Sequence, residues 1–226
     1  HIFKNQKDLA DQFADQIMDW VQNHTGKTFN MAISGGKTPD LLFSVLAQKF
    51  AASALWHKVH FWWVDERMVS PENAESNFGV ANKLFFSKIS IPEENIRRIK
   101  GENEPDSDAL AYSQQIQNNL ILLGMGDDGH TASIFPDQME LLESDKICAV
   151  AKHPSTGQKR ITLTGKVINN ADKVCFLITG ENKAERISEI FSGNETAHQL
   201  PAAHIKPLKN NAFWYVDEFA AEKIGK

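Results

Sequence analysis

A single histidine in a glycine-rich turn is the residue of this sequence best suited by its type and its neighbours to move a proton. The turn reads GMGDDGHTAS over residues 124–133 and contains His130. Histidine has an ordinary pKa of about 6.5, so it can accept a proton and return it near neutral pH. Asp128 is close enough in sequence to orient the ring. The pattern favours a general base, and the alternative is a histidine in a turn without chemical function.

Three further groups of polar residues follow other apolar segments, just as the histidine turn follows LILL at 120–123. They are residues 34–38, residues 65–67 and residues 180–183. In an open α/β sheet, ligands bind beyond the carboxyl ends of the strands. Four polar groups at that edge therefore predict one composite site.

The first of these groups, SGGKTP at 34–39, has the composition of an anion-binding turn. Gly35 and Gly36 allow close approach of the backbone, and Thr38 and Pro39 look like the N-cap and first residue of a helix. Free N–H groups and the helix dipole there favour a phosphate. The Walker A pattern GxxxxGK[ST] is absent. The alternative is a plain turn between a strand and a helix.

The second group consists of three consecutive charges, Asp65, Glu66 and Arg67, directly after HFWWV. Such charges would be costly if they were buried without partners, and a solvated loop is the usual fate of a charge run. Their position at the ligand edge of the predicted sheet favours function instead.

The third group includes Lys183, within the segment NKAE that reads as a helix-capping box. That reading places Lys183 in the first helical turn, where the dipole disfavours a cation and a bound phosphate would explain one. Arg160, which opens RITLT, is a candidate partner for the same phosphate. The alternative for each residue alone is a solvated surface cation.

Short apolar strands alternate with helices along the chain, which predicts an α/β fold with a mostly parallel sheet and helices on both faces. We expect one domain over residues 1–226. The predicted strands are FNMAIS, KVHFWWV, LILL, KICAVA, RITLT, KVCFLIT and FWYV, with helices near 9–23, 38–52, 78–86 and 182–192 and a polar loop over 65–77.

The composition excludes several classes of protein. The net charge is −5, which does not suggest a nucleic-acid binder. No HExxH motif occurs, so we predict no metal site. GxSxG is also missing, which disfavours a nucleophilic serine. No apolar run approaches the length of a membrane span, and HIFKNQKDLADQ lacks the apolar stretch of a signal peptide, so we expect a cytoplasmic protein.

These motifs together resemble those of a known protein family. SGGKTP, VDERMV, ESN, LLGMGDDGHTASIFP, RITLT and GENKAE are similar, nearly end to end, to the 6-phosphogluconolactonases, which catalyse the second step of the pentose phosphate pathway. The resemblance implies a Rossmann-like fold shared with glucosamine-6-phosphate deaminases. It also implies hydrolysis of 6-phospho-D-glucono-1,5-lactone to 6-phospho-D-gluconate, with a sugar phosphate as ligand and without a cofactor or an obligate protein partner.

The resemblance also assigns roles to residues. It implies that His130 activates the hydrolytic water, that Asp128 supports it, and that the reaction needs no metal. The other implied site residues are Asp65, Arg67 and Asn77 around the sugar and the catalytic pocket, and Gly35, Gly36, Thr38, Arg160 and Lys183 around the phosphate. The chain departs from the family pattern in two ways. Lys37 stands where a small serine is common and adds charge at the phosphate turn. The stretch SQQIQNNLILL at 113–123 is shorter than in the family, and Asn119 within it stands where an aspartate is usual.

The sequence leaves two alternative functions open. A glucosamine-6-phosphate deaminase would share the SGG turn, the Asp-Glu pair and the DGH turn, but DGH is followed here by TASIFP, and Asp65-Glu66 is followed by Arg67 rather than by an aromatic residue. A non-catalytic sugar-phosphate sensor would keep the phosphate site without the base, and the presence of both His130 and Asp128 argues against it.

Overall fold

The computed structural model describes residues 1–117, 119–209 and 212–225. Its helices are α1 (Gln6–Asn23), α2 (Lys37–Phe50), α3 (Asn77–Leu84), α4 (Pro105–Ser113), α5 (Gly165–Asn169) and α6 (Ala184–Ser192). Its strands are β1 (Ile2–Phe3), β2 (Phe29–Ile33), β3 (Val59–Trp63), β4 (Asp65–Arg67), β5 (Ile96–Arg97), β6 (Leu120–Leu123), β7 (Cys148–Lys152), β8 (Lys159–Leu163), β9 (Lys173–Ile178) and β10 (Phe213–Asp217). None of these helices is long and apolar enough to cross a membrane.

The main sheet confirms the predicted α/β fold. Within the described residues it has seven strands, all paired in parallel, in the order β1-β10-β9-β6-β2-β3-β5. Every residue of β2 and β6 is buried. Because successive side chains of a strand point to opposite faces, both faces of the sheet are covered.

Two of the predicted strands belong to a different sheet, and one predicted loop contains a strand. KICAVA and RITLT form β7 and β8, which pair antiparallel with each other rather than joining the parallel sheet. The predicted loop over 65–77 begins with β4, which pairs antiparallel with β8. The sequence does not predict β4 because a strand is recognised by alternating apolar residues, and β4 consists of three charged residues.

Val64 joins the two sheets. Its N–H donates to the carbonyl of Ile33 at the end of β2 (3.0 Å), and its own carbonyl accepts from the N–H of Leu163 in β8 (2.8 Å). Val64 itself is fully buried. The chain therefore leaves the parallel sheet and enters the antiparallel one at a single residue, so Asp65 follows directly at the place where the sheets meet.

A buried tyrosine of α4 holds the end of β3 just before this joint. The hydroxyl of Tyr112 accepts the N–H of Trp63 (2.7 Å) and donates to its carbonyl (3.1 Å). Complete burial raises the pKa of Tyr112 well above its usual value, although the hydrogen bond from Trp63 opposes the rise. Tyr112 thus supplies the hydrogen bonds that a neighbouring strand would otherwise make with Trp63.

The carboxylate of Glu66 links β4 to the start of α3. One of its oxygens accepts the N–H groups of Arg67 and Asn77 (2.8 Å each), and the other accepts the N–H of Phe78 (2.8 Å) and the hydroxyl of Ser76 (3.2 Å). Burial raises the pKa of Glu66, and the three backbone amides oppose that rise. Glu66 is therefore a helix-capping carboxylate that places Asn77, and it is not among the residues that line the pocket described below.

We expect Glu66→Gln to destabilise the fold by about 2 kcal/mol. All four partners of the carboxylate are donors, so the amide NH₂ of glutamine must face two of them and leave them unsatisfied. Urea unfolding followed by circular dichroism measures the change in the free energy of unfolding.

Glu195→Gln is the matched control, because Glu195 is exposed and loses the same charge. Its free energy of unfolding should stay within about 0.5 kcal/mol of the wild-type value. Equal stability of the two variants would show that Glu66 does not hold α3 in place.

Candidate active site

One cavity of about 700 Å³ lies beyond the carboxyl ends of β2, β6 and β9, with side chains of β4 and β8 in its wall. The structure brings nearly all the predicted site residues to this pocket. Those that line it are Gly35, Gly36, Lys37, Thr38, Asp65, Arg67, Asn77, His130, Arg160 and Lys183. Asp128, the remaining predicted residue, is absent from the lining and contacts the ring of His130 instead.

The turn after β6 holds the imidazole of His130 from two sides. Nδ1 lies 2.6 Å from Oδ1 of Asp128, and the same oxygen accepts the backbone N–H of His130 (3.1 Å). A Cβ atom on Gly126 would lie 2.2 Å from the ring and 2.7 Å from Oδ1 of Asp128. Only glycine at residue 126 leaves room for the ring, and the pair to Asp128 leaves Nε2 as the nitrogen available for chemistry.

Asp128 is ionised across the neutral pH range. Partial burial of its carboxyl acts to raise the pKa, but the hydrogen bond and charge of the His130 side chain, together with the His130 backbone N–H, lower it to about 2. A permanently charged carboxylate at Nδ1 fixes the ring orientation and favours the imidazolium that forms when His130 takes up a proton.

Phe135 packs behind the histidine turn (residues 124–133) and connects it to β8. Its ring centroid lies 4.8 Å from that of His130 and 5.3 Å from that of His153. The guanidinium carbon of Arg160 lies 5.6 Å from the same ring. Phe135 is fully buried, so it sets the separation between the histidine and the cation as a rigid spacer.

Two arginines stand side by side in the wall of the pocket. Arg67 of β4 and Arg160 of β8 are register partners in the antiparallel sheet. Burial lowers the pKa of Arg160, and the positive charge of Arg67 lowers it further. The Nε atom of Arg67 is buried and has no hydrogen-bond partner within the part of the chain that the structure describes. Two adjacent guanidinium groups with a spare donor create a strongly electropositive wall suited to an anionic ligand.

Asp65 is held from two directions at the place where the sheets meet. Its Oδ2 accepts the hydroxyl of Ser133 (2.7 Å), and its Oδ1 accepts the side-chain amide of Asn77 (3.3 Å). The amide of Asn77 also donates to the carbonyl of Asp65 (2.9 Å). Asp65 therefore connects the histidine turn, which carries Ser133, to α3, which begins at Asn77.

The glycine turn after β2 begins α2 two residues earlier than the sequence predicts. Gly36, with φ of 117°, is the N-cap, and Lys37 is the first helical residue. Thr38 therefore does not cap the helix; its hydroxyl pairs with that of Thr179 after β9 (2.8 Å). The reason is that glycine adopts the positive φ needed here at no steric cost, so no side-chain cap is required.

The segment around Lys183 also differs from the predicted capping box. Residues Glu181–Lys183 form a 3-10 turn, and α6 begins after Lys183 without a side-chain cap. Asn182 instead donates to Oδ1 of Asp127 (2.7 Å), and the ammonium group of Lys183 pairs with the same oxygen. Glu185, the last residue of the predicted box, pairs with Lys223, so neither end of the box bonds to the start of α6.

Sequence reasoning missed several residues of the pocket. Asp217 at the end of β10 accepts the N–H of Gly180 (3.0 Å) and so fixes the turn that carries Lys183. It follows FWYV, so the rule that ligands bind at strand ends could have found it. Asn5 and Gln6 also line the pocket, after the two-residue strand β1, which is too short to detect in a sequence. Among the described residues, no group of three or more His, Cys, Asp or Glu side chains is placed to hold a metal ion.

The chain is similar to known proteins along almost its whole length. Residues 4–214 match the family model of glucosamine-6-phosphate isomerases/6-phosphogluconolactonase. The 6-phosphogluconolactonase of Aggregatibacter actinomycetemcomitans is 40% identical over 231 residues, covering 98% of either chain.

Solved structures agree with this relation. A crystal structure of the devB protein is 41% identical, has a TM-score of 0.91, and covers 99% of this chain and 98% of its own. A monomeric glucosamine-6-phosphate deaminase has a TM-score of 0.84 at 18% identity, covering 99% of this chain and 98% of its own, which shows a common fold and no more. By sequence and by structure, this chain belongs to the family of glucosamine-6-phosphate isomerases and 6-phosphogluconolactonases.

Proposed function

We propose that this chain hydrolyses 6-phospho-D-glucono-1,5-lactone to 6-phospho-D-gluconate, with His130 as the general base. The observation that carries the proposal is the pair of His130 Nδ1 and Asp128 Oδ1 at 2.6 Å, in a pocket whose wall also holds Arg67, Arg160 and Lys183. A base held by a carboxylate, opposite several cations, suits a neutral ester group on an anionic substrate.

In the proposed reaction His130 removes a proton from water while the water oxygen attacks C1 of the lactone. The C1 carbonyl oxygen becomes an oxyanion, which backbone N–H groups of the glycine-rich turns stabilise. The bond from C1 to the ring oxygen then breaks, and the imidazolium of His130 returns the proton to that oxygen. Asp128 stays ionised throughout and stabilises the imidazolium. The proposed steps include neither a covalent intermediate nor a metal ion.

The substrate phosphate is proposed to orient the lactone. Lys183 and the N-terminus of α2 at Gly36 offer an ammonium group and free backbone N–H groups on one side of the pocket. Arg67 and Arg160 add two guanidinium groups in the wall of the same pocket. Lys37 is exposed at the rim and adds a further positive charge near the phosphate.

The first test is the rate of lactone opening. The lactone is generated in place from glucose 6-phosphate, and the acid formed is followed against a protein-free blank, because the lactone also opens spontaneously. Opening well above the blank supports the proposal. Opening at the blank rate contradicts it; ammonia release from glucosamine 6-phosphate would then indicate the deaminase, and tight binding without turnover would indicate a sensor.

His130→Ala should lower kcat by about 10²–10⁴-fold, since this is the usual contribution of a positioned general base. His153→Ala is the matched control: His153 packs against the same Phe135 ring but does not line the pocket, and its Nδ1 accepts the N–H groups of Ser155 and Thr156 at 3.3 Å. The control should keep most of the wild-type activity. Full activity in His130→Ala would rule out the mechanism.

Gly126→Ala should remove most of the activity while the protein stays folded, because its Cβ would occupy the place of the His130 ring. We expect a fall in kcat approaching that of His130→Ala, and a thermal unfolding scan checks the fold. Gly193→Ala, at the end of α6 and outside the pocket, is the control, since a Cβ there meets no atom within 4 Å and only its positive φ of 66° costs stability. Comparable losses in both variants would mean that the position of the ring is not the cause.

Lys183→Met should raise KM for the phosphorylated lactone by roughly 10–100-fold, the loss expected for one hydrogen bond to a charged group. The opening of unphosphorylated gluconolactone should not change. Lys166→Met is the control, because Lys166 pairs with the exposed Asp145 away from the pocket. Equal effects on both lactones would contradict the assignment of Lys183 to the phosphate.

A further inference from the structure

Two consecutive aspartates of the catalytic turn hold two different parts of the site. Asp128 holds the His130 ring, and Asp127 accepts the Lys183 ammonium and the Asn182 amide at one oxygen. The charge of Lys183 lowers the pKa of Asp127 through the hydrogen bond between them, although partial burial opposes this. Asp127 lines the pocket and is therefore an anion at the place where the proposed function puts a phosphate.

The pair between Asp127 and Lys183 is asymmetric in its exposure to solvent. The side chain of Lys183 is 17% exposed, whereas that of Asp127 is 70% exposed. A carboxylate that is so well hydrated loses little when its partner turns to another anion, since exposed ion pairs are weak. A phosphate carries more charge than a carboxylate and offers more acceptor oxygens, so it competes well for an ammonium group with three donors.

We propose that Asp127 is an internal counter-ion of Lys183 that the substrate phosphate displaces, and that its charge weakens the binding of phosphorylated ligands. The inference rests on the proposed function only in assigning Lys183 to the phosphate. After displacement the carboxylate remains close to the phosphate and repels it. Asp127 thereby limits product affinity and favours release of 6-phosphogluconate.

The backbone keeps Asp127 in place whatever its side chain. Arg186 of α6 donates from Nε to the carbonyl of Asp127 (3.2 Å), and Gly129 N–H donates to the carbonyl of Gly126 (3.1 Å) within the turn. An asparagine at residue 127 has the same shape and retains one oxygen that can accept from Asn182 and Lys183. Asp127→Asn therefore removes the charge and leaves the local geometry.

The test is calorimetric titration of wild-type protein and Asp127→Asn with inorganic phosphate, 6-phosphogluconate and gluconate at low ionic strength. We expect Asp127→Asn to bind both phosphate-bearing ligands roughly three- to tenfold more tightly, since one repulsive charge near the phosphate is removed. The affinity for gluconate should not change. Product inhibition of lactone opening by 6-phosphogluconate should strengthen by the same factor.

Asp106→Asn is the matched control, because Asp106 is exposed in the first turn of α4, outside the pocket, and loses the same charge. Its affinities should equal those of the wild-type protein. Weaker or unchanged phosphate binding in Asp127→Asn would overturn the inference and would make Asp127 a residue that orients Lys183. If the wild-type protein binds phosphate but opens no lactone, the proposed function is contradicted and the inference about Asp127 is not. The two outcomes are distinct because the titrations measure binding and require no turnover.

Discussion

The two backbone hydrogen bonds of Val64 are the constraint on which the site depends. One ties the end of β3 to β2 in the parallel sheet, and the other ties the same residue to β8 in the antiparallel sheet. Because strand direction and register are fixed on both sides, Asp65 and Arg67 must extend over the carboxyl edge of the parallel sheet. Arg160 is their neighbour for the same reason. The second sheet thus adds a charged wall to an edge where α/β proteins ordinarily bind ligands.

Two acidic residues of β4, Asp65 and Glu66, hold this charged wall in place through different contacts. Glu66 faces away from the pocket and caps α3, whereas Asp65 binds Ser133 and Asn77 and so connects the histidine turn to that helix. Both of these buried carboxylates are satisfied by several hydrogen-bond donors, as burial of a charge requires. The consequence is a pocket whose cations face the cavity while its carboxylates are engaged by protein groups.

Much of the fold and most of the site could be predicted from the sequence. Strands that are buried on both faces, such as those formed by FNMAIS and LILL, consist of continuous apolar residues. Such apolar runs are easy to recognise in a sequence, and they predict the parallel sheet. The resemblance to the lactonases, which rests on the histidine turn and the glycine turn, is confirmed by the family match. The predicted site residues gather because strand ends of a parallel sheet meet at one edge.

What could not be predicted depends on contacts between distant residues. The charged segment at 65–67 becomes a strand only because β8 lies beside it. The predicted capping box does not form, because the amide of Asn182 bonds to Asp127, some fifty residues earlier, and Glu185 pairs with Lys223. The helix α4 contributes the hydroxyl of Tyr112, which hydrogen-bonds to the backbone of Trp63 at the end of β3. None of these partners is adjacent in sequence, so local patterns do not reveal them.

The most direct test of the account is a crystal structure of the protein with 6-phosphogluconate bound. The account predicts phosphate oxygens within hydrogen-bond distance of Lys183 Nζ and of the backbone amides that open α2. It also predicts the C1 carboxylate of the product within about 3.5 Å of the His130 ring, the limit for a hydrogen bond. A complex with the phosphate away from Lys183, or with C1 beyond the reach of His130, would contradict it.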